Sequence, residues 1–122
     1  MATFHFAKTH EYIKEDGGAY YLGISDHAQG ELGDITYVEL PTSGAEFAKG
    51  EVCCTVESVK AVAEIYAPIP FRVVEANDKL EDEPETVNSS PMDEGWLIKI
   101  KLLDANSLGE MLDQNAYDAL DK

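Results

Sequence analysis

The sequence predicts a mainly β protein, an antiparallel sandwich or barrel with small helical additions. Short apolar or β-branched stretches recur roughly every 8 to 12 residues between Gly and Pro residues, which is typical of antiparallel strands joined by turns. No long helical pattern occurs, and no β-α-β alternation indicates a parallel sheet. The 122 residues, 44% of them apolar, suffice for a core without disulfides or metal. We therefore expect residues 1–122 to form a single domain.

The first part of the chain predicts a hairpin and then a short helix. Residues 12–24 contain two strand-like stretches around an Asp-Gly turn. Ser25 or Asp26 can cap a helix that Gly33 ends. Further strands are predicted at 35–40, 52–57 and 62–66, from 73 onward, and at 96–102, where Trp96, Ile98, Ile100 and Leu102 alternate with Lys99 and Lys101.

The remaining segments predict a loop and two helical turns. Residues 76–85 are rich in Asp and Glu and predict an acidic loop. Near the C-terminus, Ser107 and Glu110 have the spacing of a capping box. Asp113 is the expected cap of a last helical turn. The apolar face of that turn comprises Ala116, Tyr117 and Leu120.

The charge balance excludes two classes of partner. Nine basic against 24 acidic residues give a net charge of −15, and this charge repels both nucleic acids and anionic membranes. A partner protein with a basic surface is the better match. No apolar run reaches the roughly 20 residues that cross a bilayer. No signal or transit peptide is visible either, so we expect a bacterial cytoplasmic protein, or an organellar matrix protein in processed form.

Cysteines and histidines indicate neither a metal site nor a catalytic centre. Cys53 and Cys54 are adjacent, and neighbouring side chains of a strand point to opposite faces. This arrangement suits neither a disulfide nor a metal clamp, and we expect one thiol to be buried and the other half-buried. His5, His10 and His27 are scattered and do not have metal-ligand spacing. The chain also lacks a Gly-rich phosphate loop, so no catalytic residue is assigned.

The segment from Glu57 to Val62 carries the strongest chemical hypothesis. Strands are predicted on both sides, so Ser58 to Ala61 would form a hairpin tip that holds Lys60 away from the surface. A lysine in a tight turn is ordinarily just solvated. The placement also suits attachment of a long acyl carrier through the amine, since an amide bond there creates a swinging arm.

Several blocks of the chain, in order, resemble the H protein family of the glycine cleavage system, and together they span nearly the whole length. The central block, Val56-Glu57-Ser58-Val59-Lys60-Ala61, resembles the lipoyl-lysine motif of that family. The other matching blocks are Thr9 to Tyr12, Gly23 to Gln29, Leu32 to Pro41, Ile65 to Pro68, Pro84 to Ser89 and Gly95 to Ile100.

This resemblance implies a barrel-sandwich hybrid of the lipoyl/biotinyl type, with short peripheral and C-terminal helices and with lipoic acid amide-linked to Lys60 by a lipoate ligase or lipoyl transferase. A pyridoxal-phosphate glycine decarboxylase would load the arm with the aminomethyl group that remains after glycine loses CO₂. An aminomethyltransferase would then pass the carbon to tetrahydrofolate, and a flavin dihydrolipoamide dehydrogenase would reoxidise the dithiol. The protein itself would be a shuttle and not an enzyme.

The resemblance also assigns roles to residues around the arm. Glu57 matches an acidic position that helps lipoylating enzymes recognise the turn, although an exposed strand Glu is ordinarily just solvated. Glu11 and His27 lie in blocks that flank the cleft where a loaded arm shelters in the family. The attachment motif is completed by Ser58, Val59 and Ala61.

One position departs from the family pattern. Phe71 stands where the family has a turn Gly, and a positive φ is costly for Phe. Either the turn, which lies opposite the Lys60 turn in the family's fold, is remodelled around Pro70, or an exposed aromatic ring has a partner; we expect the first. On that basis, replacing Phe71 with Gly would leave the fold intact.

Alternative functions remain open at this point. Carrier domains of 2-oxo acid dehydrogenases typically have Asp before the lysine, where this chain has Val59, and biotinyl domains have Met on both sides. An H-like protein that stores lipoate or relays it to other enzymes would have the same motif. A binding module with an unmodified Lys60 also fits the pattern.

Overall fold

Two antiparallel sheets form the framework of the protein in a computed structural model, which describes residues 2–120. The strands are β1 (Thr3–Phe6), β2 (Glu11–Asp16), β3 (Ala19–Ile24), β4 (Ile35–Glu39), β5 (Glu46–Phe47), β6 (Val52–Ser58), β7 (Val62–Tyr66), β8 (Phe71–Ala76) and β9 (Ile98–Leu102). The helices are α1 (Asp26–Leu32), α2 (Lys79–Asp82), α3 (Thr86–Ser89) and α4 (Gln114–Asp118), with a 3₁₀ helix at Ala105–Glu110.

The strand order separates the chain into a larger and a smaller sheet. The six-stranded sheet has the order β1-β2-β3-β9-β8-β5, and the three-stranded sheet has the order β4-β6-β7. Strand pairs within both sheets are antiparallel. The prediction of a mainly β antiparallel protein with short helices is confirmed.

One apolar core lies between the inner faces of the two sheets. Along β9, and at the start of β8, buried residues alternate with more exposed ones, as expected of a strand with one face on a core. Burial of the inward side chains contributes about 25 cal/mol per Å² of apolar area removed from water. The strand that carries Lys99 and Lys101 follows the predicted alternation but begins at Ile98, and Leu97 is buried where Trp96 is only half-buried. Both sheets contribute to the core, with Ile13, Leu22, Val73, Ile98 and Ile100 from the larger and Ile35, Val38, Val56 and Ile65 from the smaller.

The predicted hairpin and the helix caps before β4 are confirmed, but the two turn residues are Gly17 and Gly18 and not the predicted Asp-Gly pair, since Asp16 pairs with Ala19. Gly17 and Gly18 have φ of 60° and 85°, so the β2–β3 turn uses two left-handed residues, whose twist matches that of the strands. Ser25 caps α1, because its hydroxyl accepts a hydrogen bond from the backbone N–H of Ala28 at 3.2 Å. Gly33 ends the helix with φ of 80°.

The expectation that one cysteine is half-buried was wrong. Cys53 and Cys54 are both buried, because the β6–β7 register shifts between Val52 and Cys54. Such a bulge breaks the strict alternation of faces. The Cys53 thiol donates a hydrogen bond to the carbonyl of Ile65 at 3.4 Å. Its hydrogen bond with Cys54, together with burial, raises the pKa of the Cys54 thiol.

Two expectations for irregular segments were also wrong. The acidic loop contains the helical turn α2, because Leu80 is fully buried in the core and anchors it.

The capping box of Ser107 and Glu110 does not form. The 3₁₀ helix begins earlier, capped by Asp104, whose carboxylate accepts a hydrogen bond from the backbone N–H of Asn106 at 3.0 Å. Asp113 caps α4 as predicted, since it accepts from the backbone N–H of Ala116 at 2.8 Å.

The expectation for Phe71 is corrected as well. Phe71 is fully buried at the start of β8, between Phe47 of β5 and Leu102 of β9. Among residues 2–120, the one non-glycine residue with positive φ is His10, so Phe71 needs no left-handed backbone. The chain places a core residue, not a remodelled turn, at this position.

Phe71→Gly should therefore destabilise the protein strongly. Removal of a fully buried Phe side chain costs about 3–5 kcal/mol, and Gly within a strand adds about 0.5–1 kcal/mol. Urea unfolding followed by circular dichroism measures the free energy of unfolding. The control is Val74→Gly on the same strand, where an exposed side chain is lost and about 1 kcal/mol or less is expected. Equal stability of the two variants would contradict the core placement of Phe71.

Candidate functional site

The tip between β6 and β7 is closed by hydrogen bonds of one serine. The backbone N–H of Ser58 donates to the carbonyl of Ala61 at 2.8 Å, and the Ser58 hydroxyl donates to the same carbonyl at 3.2 Å. That hydroxyl also accepts from the backbone N–H groups of Lys60 at 3.3 Å and Ala61 at 3.1 Å. The backbone of the turn is thus fixed by local contacts, while the side chains of Val59, Lys60 and Ala61 are exposed.

A neighbouring strand braces the tip from one side. The backbone N–H of Val59 donates to the carbonyl of Asp34 at 3.0 Å, just before β4 begins. The Thr36 hydroxyl donates to the carbonyl of Glu57 at 3.3 Å. Hence the hairpin arm is anchored to the three-stranded sheet up to the residue before Lys60.

Asn88 of α3 holds the chain on both sides of Asp34, the residue whose carbonyl accepts from Val59. Its side-chain oxygen accepts from the backbone N–H of Ile35 at 2.8 Å. Its side-chain amide donates to the carbonyl of Gly33 and to Oε1 of Gln29, both at 2.9 Å. Asn88 thereby joins α3, the end of α1 and the start of β4. Nothing in the local sequence pattern indicates this role.

The Lys60 side chain turns from the tip toward α1. Its Cε lies 3.3 Å from the point where a Cβ on Gly33 would stand, so a glycine leaves room for the lysine stem. Lys60 borders an open cavity of about 480 Å³. The α1 residues that line this cavity are Asp26, His27, Gln29, Gly30 and Glu31.

His27 of α1 lies against Glu31 of the same helix and against His10. Its Nε2 lies 3.3 Å from Oε1 of Glu31, and its ring centroid lies 4.6 Å from that of His10. Nδ1 of His10 is within 2.7 Å of the Tyr117 hydroxyl, which is also 2.7 Å from the Ser25 hydroxyl. Burial raises the pKa of Tyr117, so its hydroxyl keeps its proton and can link these groups.

Glu11 lies at the other end of this cluster. The residue is 3% exposed, and burial raises the pKa of its carboxyl group. Hydrogen bonds from the Thr9 hydroxyl and from the backbone N–H of Tyr66 lower the pKa of Glu11, but by less than burial raises it. Its charge also contributes to the raised pKa of Tyr117, which places it near that ring. Tyr66 ends β7 and lies six residues after Lys60, so the backbone N–H that Glu11 accepts from is about 20 Å along the chain from Lys60.

The structure thus brings together most of the predicted site residues. Glu57, Ser58, Val59 and Ala61 surround Lys60, and His27 borders the same cavity as Lys60. Glu11 is not among the residues that line that cavity. Sequence reasoning missed three residues that organise the site: Asp34, Asn88 and Tyr117.

The sequence model described as Glycine cleavage H-protein matches residues 4–122. The glycine cleavage system H protein of Escherichia coli is 48% identical over 120 residues, covering 98% of this chain and 93% of its own. The H protein of Alteromonas mediterranea is 49% identical over 114 residues, with coverages of 93% and 88%. The H protein of Thermotoga maritima is 46% identical over 112 residues, with coverages of 92% and 90%.

The fold is matched by a solved structure. The crystal structure of the glycine cleavage system H protein from Mycobacterium marinum superposes with a TM-score of 0.84 at 32% identity, covering 93% of this chain and 92% of that one. The barrel-sandwich fold that the resemblance implied is confirmed. Among residues 2–120, no helix has the length and apolar character needed to span a bilayer. Sequence and fold agree that the chain belongs to the glycine cleavage H-protein family, the non-catalytic carriers of covalently bound lipoic acid in the glycine cleavage system.

Proposed function

We propose that Lys60 is the lipoyl attachment site and that residues 1–122 act as one carrier domain. The observation that carries the proposal is the exposed Lys60 side chain at a hairpin tip whose backbone is fixed by Ser58 and Asp34. Among residues 2–120, the Lys60 amine takes part in no ion pair, so acylation removes no stabilising charge contact. When attached, lipoic acid supplies a reducible disulfide that can carry an aminomethyl group.

The residues around the amine suit a covalent arm. Ala61 is small, and Val59 points into solvent, so neither hinders an enzyme that must reach the Lys60 amine. Glu57, on the same hairpin, supplies a carboxylate without an ion-pair partner among the described residues. We assign Glu57 to recognition of the tip by the lipoate ligase or lipoyl transferase, in line with the family motif.

His27 and Glu11 are assigned to the cleft that shelters the loaded arm. His27 borders the cavity of about 480 Å³ beside Lys60, and Glu31 and His10 hold its ring in place. Glu11 keeps a carboxyl group in a buried position where burial disfavours its charge. A buried ionisable group with a shifted pKa is a candidate for a functional role.

The partners follow from the carrier role. The H-protein family works with the other enzymes of glycine cleavage, and we assign to this chain the glycine decarboxylase, the aminomethyltransferase and the dihydrolipoamide dehydrogenase. The net charge of −15 supports rapid electrostatic encounter with basic docking surfaces on these enzymes. The relatives come from bacteria, which supports a cytoplasmic location.

Incubation with a lipoate ligase, lipoate and ATP should add one lipoyl group, and peptide mapping should place it on Lys60. Intact mass spectrometry measures the gain. Lys60→Arg should gain nothing while its circular dichroism spectrum stays native, because Arg preserves charge and length but cannot be acylated in this reaction. The control is Lys49→Arg, another exposed lysine, which should be lipoylated like the wild type. A folded wild-type protein without a mass gain would instead support an unmodified binding module.

Glu11→Gln should raise the thermal stability at pH 7. Because burial raises the pKa of Glu11, this residue contributes stability below its unfolded pKa, near 4.5, and that contribution is lost as pH rises through the folded pKa. Gln resembles the protonated form, so Tm should rise at pH 7, and the gain should fade toward pH 4.5. Differential scanning calorimetry across pH 4 to 8 checks this, with Glu75→Gln, which is exposed, as the control. A gain that is independent of pH would refute the assignment of the effect to the Glu11 charge.

A further inference from the structure

The side-chain amide of Asn88 engages one short stretch of the chain with its oxygen and with its nitrogen. The oxygen accepts from the backbone N–H of Ile35, and the nitrogen donates to the carbonyl of Gly33 and to Oε1 of Gln29. An amide nitrogen has two hydrogens to donate, so both are used here. Since all three partners lie within residues 29–35, the amide has one orientation that satisfies them together.

The helical turn α3 gives Asn88 a firm base. Val87 is fully buried in the common core, and Thr86 is buried beside it. A Cβ on Gly95 would stand 2.8 Å from the carbonyl oxygen of Thr86 and 3.0 Å from Cα of Val87, so the loop after α3 packs directly against the turn. Asn88 is therefore attached to a part of the molecule that cannot shift without disturbing the core.

A single peptide unit connects Asn88 to the Lys60 tip. The N–H of Ile35 and the carbonyl of Asp34 belong to the same peptide bond. That N–H donates to the Asn88 oxygen at 2.8 Å, and that carbonyl accepts from the N–H of Val59 at 3.0 Å. Because a trans peptide unit is planar, fixing the direction of its N–H also fixes the direction of its carbonyl. Asn88 thus orients the group that holds the residue before Lys60.

The strand pairing is irregular where this connection lies. The β4–β6 register shifts between Ile35 and Tyr37, and such an irregularity disrupts the regular ladder of backbone hydrogen bonds. A side-chain contact from outside the sheet can compensate for this, and Asn88 supplies one at Ile35. The orientation of the tip therefore depends on α3 as well as on its own sheet.

We propose that Asn88 is a positioning residue for the acylation of Lys60: through the Asp34–Ile35 peptide unit it fixes the orientation in which the tip presents its amine to a lipoate ligase. The proposal rests on the attachment function proposed above. In that reaction the amine loses a proton and forms an amide with lipoate, while ATP is split into AMP and pyrophosphate. A tip that is already oriented binds the ligase more tightly, because less conformational freedom is lost on binding.

The test compares Asn88→Ala with Asn77→Ala in the full chain. Asn77 is a matched control, because its side-chain amide also donates to two carbonyls, those of Glu94 at 2.9 Å and Trp96 at 2.7 Å. Neither carbonyl belongs to the β6–β7 hairpin. Initial rates with a lipoate ligase, lipoate and ATP give kcat and KM for each protein as the acyl acceptor.

Two further measurements separate positioning from a general loss of structure. Acetylation by acetic anhydride, mapped to Lys60, reports the reactivity of the amine without an enzyme. Amide hydrogen exchange by NMR on the unlipoylated protein reports the Val59 N–H, which bonds to Asp34, and the Ser58 N–H, which bonds within the turn.

Asn88→Ala should raise KM about fivefold or more, while kcat stays within about twofold. The Val59 N–H should exchange about tenfold faster, and the Ser58 N–H should stay as protected as in the wild type. Chemical acetylation of Lys60 should not change, because the exposed amine needs no orientation for a small reagent. Asn77→Ala should match the wild type in all three measurements. A KM for Asn88→Ala within twofold of that control would overturn the positioning role.

The conservative variant Asn88→Asp tests the route through Ile35. An ionised Asp keeps an oxygen that accepts from the Ile35 N–H but cannot donate to Gly33 or Gln29. Its KM and its Val59 exchange should therefore lie closer to the wild type than those of Asn88→Ala. Equal losses in the two variants would refute the route through the Asp34–Ile35 peptide unit.

The outcome for Asn88 stays distinct from the outcome for the attachment function. A folded wild-type protein that gains no lipoyl group refutes attachment at Lys60, whereas the Val59 exchange rates still decide whether Asn88 orients the tip. Circular dichroism must show a native fold for each variant. If Asn88→Ala does not fold, Asn88→Ser takes its place, with the same expected and opposing results.

Discussion

A lysine that presents a long covalent arm needs a fixed backbone and a free side chain, and the tip between β6 and β7 meets both needs. Ser58 satisfies the backbone N–H groups of the turn with its hydroxyl, and Asp34 accepts from Val59 across the neighbouring strand. The Lys60 side chain extends beyond these contacts over Gly33. The position of the arm root therefore depends on the sandwich as a whole, because β4 and β6 are held by the common core.

A second, smaller core joins β1 and β2 near the N-terminus to the C-terminal helix α4. Phe6, Tyr12 and Tyr117 are buried together, and the rings of Phe6 and Tyr117 stack with centroids 4.1 Å apart. This packing holds α4 against β1, and Tyr117 then hydrogen-bonds to His10 and Ser25 beside α1. His10 adopts φ of 78°, a conformation that non-glycine residues keep only where surrounding contacts enforce it. The C-terminal helix α4 thus supports the cavity beside Lys60, although α4 lies more than 50 residues after Lys60 in the sequence.

Local rules account for what the sequence predicted, and contacts between distant segments account for what it did not. The β2–β3 hairpin, the Ser25 cap and the alternation around Lys99 each depend on a few neighbouring residues, so the sequence alone predicts them. The bulge before Cys54 depends on pairing with β7. The burial of Phe71 depends on β5 and β9, and the bridging role of Asn88 depends on three separate elements. None of these contacts leaves a periodic signal in the chain.

The distribution of charge matters more for a shuttle than its total. A net charge of −15 speeds encounter with basic surfaces in general, but it does not select an orientation. The placement of charge can do so: Glu39, Glu57 and Glu64 lie on the strands that lead to the Lys60 tip, and β4, β6 and β7 contain no Lys or Arg, so negative charge is concentrated beside the arm root. The apolar contribution must also stay small, since a large apolar interface releases its partner slowly. Near the Lys60 tip the exposed large apolar side chains are few, namely Tyr37, Val59 and Val62, and Glu57 lies between two of them, which suits association that is brief.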